Sequence, residues 1–231
     1  MGFSLSTAIL QPATIFMIFG PYMSQFSGVG KVSAQVGKAI SGFGKDLTPR
    51  EKLQIYKANK LGITAPLSTI ENIGSSAEQS DLLPKEFTTF MEKLVDKSGW
   101  MMQKMETISR QISWLAAYRI FDDPKALNKF VEQSSRPLNL DMADAIKGLE
   151  GEELHFAATN FIINKTFGLY GKESRAKYQR GIGKIIFPFQ GYNTQMLNLY
   201  YQLAKQALGG DKQAKKALTL MGFAIIFAGG A

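Results

Sequence analysis

Between Lys85 and Phe121 apolar residues return at alternating steps of four and three: Phe87, Met91, Leu94, Met101, Met105, Ile108, Ile112 and Leu115. Ser98 and the closing Arg119 are the off-pattern members of this row. A seam sustained over more than four heptads predicts one long helix, about 55 Å at 1.5 Å per residue. Phe90, Met102, Ser109 and Ala116 widen its apolar face on one side. Pro84 suits the first turn, Gly99 marks a place where the helix can bend, and Asp122-Asp123-Pro124 ends it. A helix this long cannot bury its seam alone, so the remaining elements must pack along it.

Those elements carry helical signals too. Thr48-Pro49-Arg50-Glu51 reads as a cap, a proline in the first turn and a capping-box glutamate, opening a helix that ends at Gly62. Residues 63–83, with Pro66 and the polar stretch from Gly74 to Ser80, read as mixed and loop-like. Asp123-Pro124 starts a short helix to about Gln133, Arg136-Pro137 breaks it, and another short helix runs to Gly148. Phe156, Asn160, Ile163, Phe167 and Tyr170 set the period of a helix over 150–170. Gln190–Leu208 is predicted as a helix stopped by Gly209-Gly210, and Asp211 opens a last one that turns from Lys-rich to apolar. No strand alternation or hairpin signal stands out. The expected fold is all-α: an elongated array of helices around a central helix at about 85–121, without a sheet. Residues 1–83 form an apolar and Gly-rich N-terminal segment and 84–231 the long helix with the C-terminal region, the two continuous with each other.

Two N-terminal stretches leave alternatives open. The uncharged residues 3–27 are broken by Gln11-Pro12 and Gly20-Pro21, and the run from Ala13 to Phe19 is too short to span a bilayer. A buried, proline-bent helix is favoured over a kinked or re-entrant membrane insertion. In residues 28–45, Gly30, Ala34, Gly37, Ser41 and Gly44 form a 4-3-4-3 row of small side chains, while Lys31, Lys38 and Lys45 recur every seven. Small rows let helix backbones approach closely, and the lysines would then face water, phosphate or lipid headgroups. The competing reading is a linker weakened by glycine.

Composition narrows the chemistry. Apolar content of 45% with 20% charged residues fits a folded chain. The absence of cysteine excludes disulfides, thiolate metal sites and cysteine nucleophiles. The surplus of 27 Lys+Arg over 19 Asp+Glu, a net charge of +8, is a mild pull toward nucleic acid, anionic lipid or an acidic partner, and equally fits a folded protein with no polyanion partner. Lys165, Lys172, Arg175, Lys177, Arg180 and Lys184 lie among Phe167, Tyr170, Tyr178, Phe187, Phe189 and Tyr192. That mixture can grip phosphate and stack bases, or it can be a solvated face above an aromatic core. His155, the single histidine, has no partner cluster in the sequence and reads as structural. No zinc-ligand spacing, nucleophile elbow or paired-carboxylate motif is recognisable, so no catalytic, cofactor or metal residue is expected.

Gly2-Phe3-Ser4-Leu5-Ser6-Thr7-Ala8 with Gln11-Pro12, Trp114-Leu115-Ala116-Ala117-Tyr118-Arg119, Thr166-Phe167-Gly168, Arg180-Gly181 and Phe187-Pro188-Phe189-Gln190-Gly191-Tyr192 carry a resemblance. The chain resembles the helical C-terminal region of very large phage polyvalent proteins, including internal virion proteins ejected ahead of the genome. Where that pattern has Asn-Arg-Pro after the Phe-Gly, this chain has Glu173-Ser174-Arg175-Ala176. The resemblance implies a structural role in the virion interior and then at the host cell envelope, in an assembly that helps pass DNA. It implies homo-oligomers or other virion and ejection proteins as partners, with DNA and the host membrane as further candidates, and it assigns no catalytic residue. The uncharged ends fit a segment of a longer polypeptide. The alternative is a soluble helical nucleic-acid-binding or scaffolding module attached to a large viral enzyme such as a virion RNA polymerase.

Overall fold

The computed structural model describes residues 12–43, 45–64, 104–136, 139–167 and 190–229, and among these every regular element is helical. In chain order they are α1 (12–23), α2 (Val29–Ser41), α3 (Pro49–Lys60), α4 (104–121), α5 (Pro124–Ser134), α6 (Leu140–Ile146), α7 (Gly151–Phe167), α8 (Gln190–Leu208) and α9 (Lys212–Gly229). The part of the expected central helix before residue 104 lies outside the described residues, as do residues 1–11.

Helix α4 is the axis of the packing. Trp114, Leu115, Ala116, Ala117, Tyr118, Ile120 and Phe121 are all buried. A 4-3 seam gives a helix one buried face, but from Ile112 onward this one is enclosed on nearly every side. The small side chains Ser113 and Ala117 let neighbouring helices come close on the faces that the seam leaves open.

The described part of the N-terminal apolar run, from residue 12 on, forms a helix packed into the core. Residues 12–23 wind with a π-helical stretch Ile15–Phe19, closed by the Gly20 N–H on the Ile15 carbonyl. Pro21 has no N–H to give and its ring crowds the preceding turn, so the helix opens just ahead of it. The wider turn sends Ile15, Ile18 and Phe19 into the core. Ser24 Oγ then donates to the Pro21 carbonyl at 2.6 Å and closes the helix end. Just beyond, Phe26 meets Phe121 and Phe130 at ring-centroid distances of 6.0 and 5.4 Å, and Phe161 joins at 5.7 Å from Phe130. These rings knit α1, α4, α5 and α7 into one core. That core draws on elements from both sides of residue 83.

Helix starts follow local chemistry. Thr48 Oγ1 accepts from the Glu51 N–H, and the Thr48 N–H donates to Glu51 Oε2 at 2.8 Å, a complete capping box. Gly62, at φ +72°, takes the left-handed turn beyond α3, as Gly148 does beyond α6. Asp123 caps α5 through the Lys125 N–H, and Asp211 caps α9 through the N–H groups of Gln213 and Ala214. The α8–α9 hairpin packs on α1 and α7, with Leu199, Leu203, Ala214, Ala217 and Met221 buried. Among the described residues no helix is long and apolar enough to cross a membrane.

Candidate functional site

The densest polar cluster lies where α3, α4 and α7 meet. Tyr118, buried on α4, donates its hydroxyl to Glu152 Oε1 at 2.6 Å. The same oxygen accepts from Gln54 Nε2 at 2.9 Å, and Arg50 binds the Glu152 carboxylate through Nε and Nη2. Arg50 Nη1 reaches Asp122 Oδ1 at 3.1 Å, and its guanidinium sits 5.4 Å from the centre of the Tyr118 ring. One arginine thus ties the first turn of α3 to the end of α4 and the start of α7.

His155 completes the cluster from below. Its ring lies on that of Tyr118, 4.1 Å between centroids and 10° between planes, and Trp114 stacks on the same tyrosine at 5.0 Å. Nε2 is 2.8 Å from the Tyr118 carbonyl. A carbonyl only accepts, so Nε2 carries the hydrogen and Nδ1 is left facing Asp122 Oδ1 at 3.9 Å. The structural reading of His155 therefore agrees with its surroundings.

The electrostatics follow from these contacts. The Arg50 hydrogen bond, against the cost of desolvation, holds the Glu152 carboxyl below its usual range, and Tyr118 assists. Desolvation opposes ionisation of Glu51, but hydrogen bonds from Arg119 and Thr48 outweigh it and lower its pKa. Burial first, and then the bond to Glu152, push the Tyr118 phenol upward. The ionised carboxylates of Glu51 and Glu152 and the neutral Tyr118 phenol are the forms this junction holds. In chemical terms it is a lock of charge-assisted hydrogen bonds among three helices.

Beside the lock lies a cleft of about 460 Å³, lined by Gln35, Lys38, Ser41, Gly42, Asp46, Arg119 and Asp122. Arg119 is occupied by Glu51 and Asp122 by Arg50, and the exposed Lys38 and Asp46 hold no ion pair among the described residues. Among the described residues no group of three or more His, Asp or Glu side chains is arranged to hold a metal ion.

The residues singled out from the sequence fall into four groups. Gly30, Ala34, Gly37 and Ser41 are exposed, because α2 packs inward through Val32, Val36 and Ala39 instead. A Cβ added at Gly30 or Gly37 would meet nothing within 4 Å. Lys31 is bound to Asp123, and Lys165 is bound to Asp141 at 2.5 Å with its ammonium 5.8 Å from the Phe161 ring centre. Lys38 and Lys45 are exposed and carry no ion pair among the described residues. Gly44, Lys172, Arg175, Lys177, Arg180 and Lys184 lie outside the described residues.

Sequence reasoning missed the lock itself. Its one visible trace was Arg119, a charge at the end of a buried seam, which demands a partner that spacing does not name. The partner is Glu51, 68 positions away. No family model matches the chain, and neither a curated protein nor a solved structure shows significant similarity to it.

Proposed function

We propose that this chain is a structural assembly segment of a bacteriophage internal virion protein, ejected into the host, where it helps form a conduit for genome delivery. One observation carries the assembly role: the arginines are taken up in ion pairs within the fold, while the small row of α2 stays on the surface. Each described arginine, Arg50, Arg110, Arg119 and Arg136, is held by an acidic side chain. The small row of α2 meanwhile faces out with room for a neighbouring backbone. A body fixed this way acts by presenting rigid faces, and copies of itself or other virion proteins are the partners such faces suit. The viral setting rests on the sequence resemblance. On this reading the segment sits in the virion and then at the host envelope and performs no catalysis.

The experiment is sedimentation together with negative-stain imaging, with and without liposomes. Rings or defined oligomers support the proposal. A clean monomer that ignores liposomes at micromolar concentration counts against it.

The alternative, a nucleic-acid-binding or scaffolding module of a large viral enzyme, is favoured by one feature. Lys38, Lys45, Lys52 and Lys57 are exposed and hold no ion pair among the described residues. DNA affinity that falls steeply with salt, without liposome binding, selects that reading.

A further inference from the structure

Helix α8 has two apolar faces. Leu199 and Leu203 are buried against the rest of the fold. On the other side Leu197, Tyr201, Ala204 and Leu208 follow at steps of four, three and four, the spacing of a helix-pairing seam. Leu197, Tyr201 and Leu208 are 69%, 66% and 90% exposed. A helix apolar on two faces is built for two neighbours, and among the described residues this chain covers one.

The charge of the α8–α9 hairpin says which kind of neighbour fits. Between Gln190 and Ala231 the single acid is Asp211, and Arg136 holds it. The exposed charges of the hairpin are Lys205, Lys212, Lys215 and Lys216, all positive. In paired helices the residues flanking the apolar seam choose the partner, opposite charges attracting and like charges repelling. Lys205 flanks the seam on α8 itself and the other three lie on α9, so a second copy would bring one lysine-bearing hairpin against another.

We propose that the outer face of α8 is a docking surface for an amphipathic helix of another polypeptide, apolar along its seam and acidic along its flanks. The proposal deepens the assembly reading, on which it rests for its biological setting, by naming one face and the chemistry of its partner.

The test uses the whole chain and two synthetic heptad-repeat helical peptides, both with leucine at the seam positions, one with glutamate and one with lysine at the flanks. Binding is followed by fluorescence anisotropy. The glutamate peptide should bind at least tenfold more tightly than the lysine peptide. Tyr201→Glu should weaken it at least tenfold while the helical circular dichroism signal and melting temperature stay as they were. Lys205→Glu should narrow the gap between the peptides. Equal binding of both peptides, no binding, or binding that Tyr201→Glu leaves unchanged overturns the proposal. Tyr201-dependent flotation with anionic vesicles, without peptide binding, assigns the face to lipid and overturns it too. Failure of the assembly reading is distinguishable: ring formation can be absent while the glutamate peptide still binds, and rings can form while Tyr201→Glu changes nothing.

Discussion

Arg119 Nε donates to Glu51 Oε1 at 2.5 Å, while the other oxygen of Glu51 accepts the Thr48 N–H. One carboxylate therefore starts α3 and fastens it to α4. The same division recurs at two other helix starts. Asp123 gives Oδ1 to the Lys125 N–H and Oδ2 to Lys31. Asp211 gives Oδ1 to Gln213 and Ala214 and Oδ2 to Arg136. Where each of these helices begins and what it touches are fixed by one side chain.

The two duties of Glu51 are separable by substitution. Thr48→Ala removes one cap bond and should cost about 1 kcal/mol. Glu51→Ala removes the rest of the box and leaves the largely buried Arg119 unpaired. That should cost about 2–3 kcal/mol, below the ~3–5 of a fully buried pair because Arg119 keeps some water. Urea denaturation midpoints of the two variants measure the difference, and equal losses would contradict it.

Arg110 should be the least replaceable charge. It is buried, pairs with Glu106 at 3.1 Å, and donates to the main-chain carbonyls of Ile63 and Phe167 at 3.2 and 3.1 Å. It thereby holds the end of α7 and the turn after α3 to α4. Arg110→Met leaves a buried carboxylate and two carbonyls short of donors, and should cost about 3–5 kcal/mol. Arg110→Lys should recover little of this, since one ammonium cannot reproduce the forked geometry. Denaturant titration of both variants is the check.

The pH dependence follows from the carboxylates. Glu152 and Asp123 are lowered first by Arg50 and by Lys31, and Glu51 is lowered despite its burial. Groups depressed in the fold take up fewer protons than in the unfolded chain, so their contribution is complete above the ordinary range near pH 4. Stability should fall as pH drops from about 5 through the folded values, and Glu152→Gln should flatten that fall. Burial raises the phenols of Tyr22 and Tyr118, the opposite case, so their contribution is lost as pH rises beyond about 10. Denaturation midpoints from about pH 3 to about pH 12, with tyrosinate absorbance followed at the alkaline end, test both limbs.

Gly37 separates folding from assembly. It is exposed and helical, with open space where a side chain would start. Gly37→Leu should leave melting unchanged or raise stability by about 0.5–1 kcal/mol, through removal of a helix-weakening glycine. If the small row packs against another copy, the same change should abolish oligomers seen by sedimentation. Lys38→Glu should leave folding intact and weaken salt-dependent binding to DNA or anionic liposomes if a polyanion sits there.

What the sequence disclosed was local. Thr48-Pro49-Arg50-Glu51, Asp123-Pro124 and Gly209-Gly210-Asp211 announce helix ends because the bonds that make them span two to four residues. The 4-3 row located α4 as the buried axis, though it gave one face where Ser113, Trp114 and Ala117 are buried as well. The lock was not legible, since Arg50 and Glu152 stand 102 positions apart and only tertiary packing brings them together. The small row of α2 was recognised as unusual, but spacing alone does not say which side of an amphipathic helix turns inward. Val32, Val36 and Ala39 bury more apolar surface than glycines can, and they won that face.

The separation of arginine from lysine has a chemical consequence. Among the described residues the guanidinium groups are held by carboxylates, whereas exposed amines such as Lys38, Lys45, Lys52 and Lys57 stand in solvent. Acylation with an amine-selective reagent would erase much of the field felt by a polyanion and leave Arg50, Arg110, Arg119 and Arg136 chemically unaltered in their pairs. Lys31 and Lys165 aside, whose ammonium groups also fasten helices through Asp123 and Asp141, the unpaired surface charge and the charge that fastens the described helices thus belong to two functional groups, and a bottle of acetic anhydride can tell them apart.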